Sequence, residues 1–314
     1  MSAYKDFIEA QASILAVLET LGSKSVTRAR SPEQLVLNGL RISAFVALED
    51  FLRRRTLEVF HWLGTSGVTF KNLPQRLQSL VLQGTVSGLH FSLAKTDKSE
   101  QITLLQLQGL LLGGTGENQP FVPSEYFFGK ASSNISSDDV HQLLGAMGLP
   151  SEKKLECLDL ILELIGMKHL GTSSAIFSTL SRSRHRSAHA FPGEFELDKY
   201  KTIVSTSLPV LAFSVDTCLS QTALRVVKAV KAAESYSSYD LTKVNIRVFE
   251  FDQQAKAWNE YRAGRQLKPL VKGGLEKRLE DLSAGVFGKE DSALVKEPNG
   301  SVTRWHQPVP QLAV

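Results

Sequence analysis

The apolar positions of this chain recur at intervals of three and four over most of its length, which is the period of helices packed on one face. Tyr4, Phe7, Ile8, Leu15 and Leu18 predict a helix over 4–21, closed by Gly22. Ser31-Pro32-Glu33-Gln34 reads as a helix start: a capping serine, proline at the first helical position, and a glutamine placed to complete a capping box. The stripe Leu37, Leu40, Ala44, Phe45, Leu48, Leu52 and Val59 carries that helix to Gly64. Weaker helical patterns cover 74–83 and 100–112, and 114–134 reads as an extended loop with Pro120 and Pro123. Ser136-Ser137-Asp138-Asp139 opens another helix with cap and acidic first turn in order. Leu155, Leu158, Leu160, Ile161, Leu164 and Ile165 are apolar nearly all round, so that helix is expected at the centre.

A further helix starts near Thr172-Ser173, and a long one starts at Asp198 and runs through Leu219 with a kink expected at Pro209. Beyond residue 225 the period changes. Lys243–Val248 alternates as a strand does, and Asn299-Gly300 between Leu294-Val295 and Val302 signals a hairpin. Helices are predicted at 253–263 and 274–282. The expected architecture is mainly α: a helical domain over 1–225 and a small C-terminal α+β appendage over 226–314. Trp258, Tyr261 and Trp305 lie among basic residues there and suit either base stacking or a small core, and core is the favoured reading.

Composition narrows the class of protein. The 314 residues are 42% hydrophobic and 22% charged, ordinary for a globular chain. Cys157 and Cys218 form neither a disulfide framework nor a zinc motif, and both lie in apolar helical patterns that suit small buried hydrophobes. The N-terminus lacks the apolar core of a signal peptide, and no uncharged run is long enough to span a membrane, so a cytoplasmic protein is expected. The net charge of +4 is unevenly placed: residues 1–220 hold 21 basic and 21 acidic side chains, and the rest hold 15 and 11. That excess is compatible with nucleic-acid contact but is no polybasic arm.

The chemistry concentrates in Ser181-Arg182-Ser183-Arg184-His185-Arg186-Ser187-Ala188-His189-Ala190-Phe191, with two of the seven histidines and three arginines. Like charges three and four apart repel on a helix, so an anionic partner is the natural complement. Three readings compete. One is a solvated basic helix end favoured by the macrodipole and stopped by Phe191-Pro192-Gly193. A second is a metal site built on His185 and His189 with Glu194 or Glu196, which the neighbouring Arg184 and Arg186 oppose. The third is phosphate chemistry, with arginine holding the phosphate oxygens and histidine moving protons. Gly113-Gly114-Thr115-Gly116 lacks the lysine and hydroxyl of a phosphate loop and reads as a connection. The run Arg53-Arg54-Arg55 reads as a solvated face, with a phosphate-facing role conceivable for one member.

Arg184, four intervening residues and His189, with small Ala188 before the histidine, resemble the arginine–histidine signature of HEPN domains. The context is similar to the RiboL-PSP-HEPN type: Ser133-Asn134-Ile135-Ser136, a helix ending in Met147-Gly148-Leu149, the helix leading into the motif, and Glu196-Leu197-Asp198-Lys199-Tyr200 after it. The resemblance covers roughly residues 33–225, and His185 stands where asparagine is frequent. It implies a HEPN-type helical bundle and an endoribonuclease that needs no metal or other cofactor and works on RNA. His189 would transfer the proton, Arg184 would offset the developing charge, and His185 would orient the site or move a second proton. It further implies a homodimer through the helices near the motif and a toxin or phage-defence role, with an antitoxin or defence-system partner. The competing expectation is a non-catalytic helical module that binds nucleic acid or a partner protein.

Overall fold

The computed structural model describes residues 2–21, 31–113, 120–130, 134–149, 152, 154–189, 196–236, 238–240, 243–262, 265–269, 274–284 and 290–310. Ten helices among them, α1 (Ala3–Thr20), α2 (Pro32–Thr65), α3 (Gln75–Leu93), α4 (Lys98–Gly113), α5 (Ser137–Ala146), α6 (Glu156–Leu164), α7 (Ser173–His189), α8 (Leu197–Thr202), α9 (Leu208–Lys231) and α10 (Gly274–Ser283), make the chain mainly helical. Five strands complete it: β1 (Ile246–Asp252), β2 (Ala257–Arg262), β3 (Arg265–Pro269), β4 (Ser292–Lys296) and β5 (Val302–His306).

The 34-residue α2 is the axis of the body, because its buried positions leave it on several sides. It packs against α1, α7 and α9. Its start is half of what the sequence predicts: the Ser31 hydroxyl accepts from the Gln34 N–H at 3.2 Å, but the Gln34 side chain turns to Asn38 instead of closing the box. At α5 the full box forms, with Ser136 and Asp139 each bonding the other's backbone N–H. Near its far end α2 needs a glycine, since a Cβ on Gly64 would lie 1.8 Å from the carbonyl oxygen of Phe121. Residues 114–119 and 131–133 of the predicted loop, like Gly22 and 23–30, lie outside the described residues.

α6 begins at Glu156, after Leu155 takes a left-handed φ of 61° with its side chain fully buried. The irregularity expected at Pro209 appears one turn earlier, as a π-helical turn over Ile203–Ser207 joining α8 to α9. Proline has no N–H to give to the preceding turn, and widening the helix there re-registers the remaining bonds. The Val204 carbonyl inside the turn accepts from the Gln11 side chain of α1 at 3.2 Å. The stretch Leu197–Lys231 is long and apolar enough to cross a membrane by composition, but 83% of its most apolar window is buried inside the fold. Cys157 and Cys218 are buried free thiols side by side, and the hydrogen bond between them, then burial, push the Cys218 thiol well up.

The strands form one sheet of order β3-β2-β1-β4-β5, antiparallel except for the central β1–β4 pair. The helix predicted over 253–263 is instead a turn and the strand β2 over 253–262, and residue 263 lies outside the described residues. Asp252 Oδ1 accepts from the N–H groups of Gln254 at 2.8 Å and Ala255 at 3.0 Å, and Lys256 takes a φ of 48°, which reverses the chain into a hairpin. The Asn299-Gly300 hairpin joins β4 and β5 as expected. Period-2 alternation splits the sheet's side chains. Val248, Leu294, Val302 and Trp305 join the core of the helical body, while Phe249, Ala293 and Val295 form a second small core with Leu275 and Leu282 of α10. Position 225 falls inside α9, and the C-terminal segment is therefore packed into the helical core along one face of its sheet. Trp305 is a core residue, edge-on to Tyr4 at 4.7 Å and to Phe51 at 5.8 Å, and Trp258 packs edge-on to Phe251 at 5.4 Å.

Candidate functional site

α7 brings the basic motif to the surface by a simple division of its faces. Ser173, Ile176, Phe177 and Leu180 form the buried stripe, and Phe177 meets Phe45 of α2 edge-on at 5.9 Å. Arg184 is four residues beyond Leu180 and seven beyond Phe177, so it continues that stripe. It is half-buried, its Nε has no hydrogen-bond partner among the described residues, and its charge acts on Glu49 of α2. Glu49 is itself 4% exposed, and its Oε1 accepts from the Ile135 N–H at 2.6 Å. Burial raises the Glu49 carboxyl above its ordinary range, opposed by that N–H and then by Arg53 and Arg184.

His185 and His189 face solvent, with ring centroids 4.8 Å apart and planes tilted by 54°. At about 100° per residue, Arg182, Arg186, His185 and His189 share an arc of about 100°, whereas Arg184 points about 140° away from His189. The two imidazoles are thus brought together, and the arginine that the HEPN signature names turns toward α2. Arg182 and Arg186 are the guanidinium groups on the imidazoles' own face, and both are exposed.

Beside that face lies an open cleft of about 350 Å³ between α7, α2 and α8. Arg182, Ser183 and Arg186 line it from α7, Arg41 from α2, and Glu196, Lys199 and Tyr200 from the start of α8. Tyr200 belongs to its floor: it is 4% exposed, its hydroxyl donates to the Leu40 carbonyl at 3.1 Å, and burial raises its phenol strongly. The Arg41 guanidinium carbon is 6.0 Å from the centroid of that ring. Burial lowers the Arg41 pKa, Tyr200 opposes the change, and the like charge of Arg186 adds to it. The cleft's acid, Glu196, is exposed and lies 3.8 Å from Lys199.

Sequence reasoning located the helix end but missed the cleft. Arg41 is 141 residues from Arg182, and no periodicity on one helix announces a partner on another. The available signal was Arg182 and Arg186 four apart, plus Lys199-Tyr200 just after the motif. Glu194 and Phe191-Pro192-Gly193 lie outside the described residues, and Glu196 is on the cleft side of α7. Among the described residues no group of three or more histidine, cysteine or acidic side chains is arranged to hold a metal ion. The arginine run of α2 is not a solvated face: Arg55 is 0% exposed and ion-paired to Asp216 at 2.7 Å and Glu58 at 3.0 Å. Comparison with protein-family models, with curated proteins and with solved structures gave no match.

Proposed function

We propose that this chain is a metal-independent endoribonuclease of the HEPN type. The observation that carries the reading is the pair of solvent-facing imidazoles, 4.8 Å apart, on an arginine-rich helix end beside a cationic cleft. RNA supplies its own nucleophile. The 2′-oxygen attacks the neighbouring phosphorus while the bond from phosphorus to the 5′-oxygen breaks. His189 takes the 2′ proton and His185 protonates the departing 5′-oxygen, a division that two adjacent imidazoles allow. The products are a 2′,3′-cyclic phosphate and a 5′-hydroxyl. Positive charge offsets the extra negative charge of the transition state; the resemblance gives that role to Arg184. Pairing of two copies through the α7 ends, as the resemblance implies, would gather both sets of groups around one strand. A toxin or phage-defence effector is the biological setting that fits.

Purified protein incubated with mixed RNA and a chelator tests this directly, with end-group analysis by mass spectrometry. Cleavage should persist under chelation, leave cyclic phosphates, and fall by about 10²–10⁴-fold in His189→Ala at unchanged helical circular dichroism. Cleavage that survives loss of both histidines, or needs added metal, overturns the proposal. The non-catalytic module is the second reading, and the turning of Arg184 toward Glu49 favours it. It predicts RNA binding without cleavage.

A further inference from the structure

Four cations from three helices converge on the cleft, with Glu196 the acid beside them at its rim. Arg186 is close enough to Arg41 to disfavour its charge, and neither Arg182 nor Arg186 forms an ion pair among the described residues. A fold that holds like charges together in a concave, open site is stabilised when an anion enters it. Guanidinium forks on two walls and an ammonium on a third match the oxygens of a phosphate better than a single carboxylate. The cleft has the volume for about one nucleotide rather than for a duplex. His189 lies about one helical turn beyond Arg186, a cleft-lining residue, along α7.

We infer that this cleft is a substrate-positioning subsite, in which Arg41, Arg182, Arg186 and Lys199 hold the phosphate that neighbours the scissile linkage of single-stranded RNA. The inference rests on the RNA reading above, but it concerns binding, not bond breakage. Arg41 and Lys199 act at a distance from the reacting atoms and fix which linkage reaches the imidazoles.

The test is fluorescence anisotropy with a 5′-labelled oligoribonucleotide, using His189→Ala protein so that the strand stays intact. Arg41→Gln and Lys199→Gln are added singly and together, and affinity is followed across salt concentrations. Each lost phosphate contact lowers the slope of log affinity against log salt by about 0.7. The four cations share one phosphate, so the double variant should lose at most about 0.7 of slope and bind at least about tenfold more weakly at low salt. Lys199 has a side chain 71% exposed, so its variant reports on binding without disturbing the fold; a purely structural role for Arg41 would move the melting temperature and leave the slope alone. Unchanged slopes in both variants, or no RNA affinity in the parent, overturn the inference. A wild-type chain that binds RNA through these residues but leaves it uncut under chelation ends the nuclease proposal and keeps the cleft as a site for an RNA phosphate. Normal binding by the cleft variants beside a wild type that cleaves RNA does the reverse.

Discussion

On α2, Arg53, Arg54 and Arg55 each reach a carboxylate: Glu49 at 3.9 Å, Asp6 at 2.5 Å, and Asp216 at 2.7 Å respectively. On α7, Arg182 and Arg186 stand among other cations, and Arg184 lies half-buried with its Nε unbonded among the described residues. The same residue type therefore does opposite work at the two places. Arg55 donates five hydrogen bonds, to Asp216, Glu58, Ser220 and the carbonyls of Val309 and Pro310, which uses every N–H that a guanidinium has. Its charge is consumed inside the protein and is unavailable to a ligand. On α7, Arg182 and Arg186 are exposed and form no ion pair among the described residues, whereas Arg184 acts on Glu49. Counting basic residues therefore does not tell which charges a ligand could meet; the ion pairs that each one makes do.

The contrast can be broken at its strongest point. Arg55→Ala would leave Asp216 and Glu58 buried without their cation and should destabilise the fold by about 3–5 kcal/mol in urea denaturation. A smaller loss, about 1.5–3 kcal/mol, is expected for Trp305→Phe, which removes the indole N–H donated to Asp216 Oδ2 at 2.9 Å. Arg54→Ala touches pairs that are partly open to water, so its cost should stay within about 0.2–1 kcal/mol. Arg186→Gln belongs to the other class: stability within about 0.5 kcal/mol of wild type, with weakened RNA binding. A large loss of stability there would erase the distinction between the two triplets.

The helices were largely legible in the sequence, because α1, α5 and α7 each bury one apolar stripe, α9 is apolar and buried nearly all round, and α2 and α5 carry their own start signals. The run 253–263 was misjudged as helix because Trp258, Tyr261 and their neighbours fit either period, and the deciding features, the Asp252 turn and pairing with β1, are not periodic. Arg55 was hidden for a different reason. A triplet of arginines reads as solvated until Asp216, 161 residues away, is seen to be buried against it. At the candidate site, the histidine pair follows from four-residue spacing, whereas the cleft depends on how α2 and α8 are laid against α7. The fully buried Asp216 also reaches the C-terminal sheet electrostatically, at His306.

The smallest expected effect is a pH dependence. Burial first, and secondarily the charge of Arg55, lower the His306 pKa, while Asp216 opposes them. The unfolded chain accepts this proton more readily than the folded one. The resulting stability is present above the ordinary imidazole value, about 6.5, and is lost as pH falls through the lower folded value. Melting temperatures at pH 7 and pH 5 should therefore differ less in His306→Gln than in wild type.

Glu58 accepts from the Ala3 N–H at 2.7 Å while Arg55 beside it grips the carbonyls of Val309 and Pro310. Segments three hundred residues apart in the chain are thus stitched at one turn of α2. Arg55, Glu58 and Asp216 precede Trp305 in the chain, so this knot closes only once β5 has been made. The charges of α2 therefore keep their water until the β4–β5 hairpin arrives to replace it.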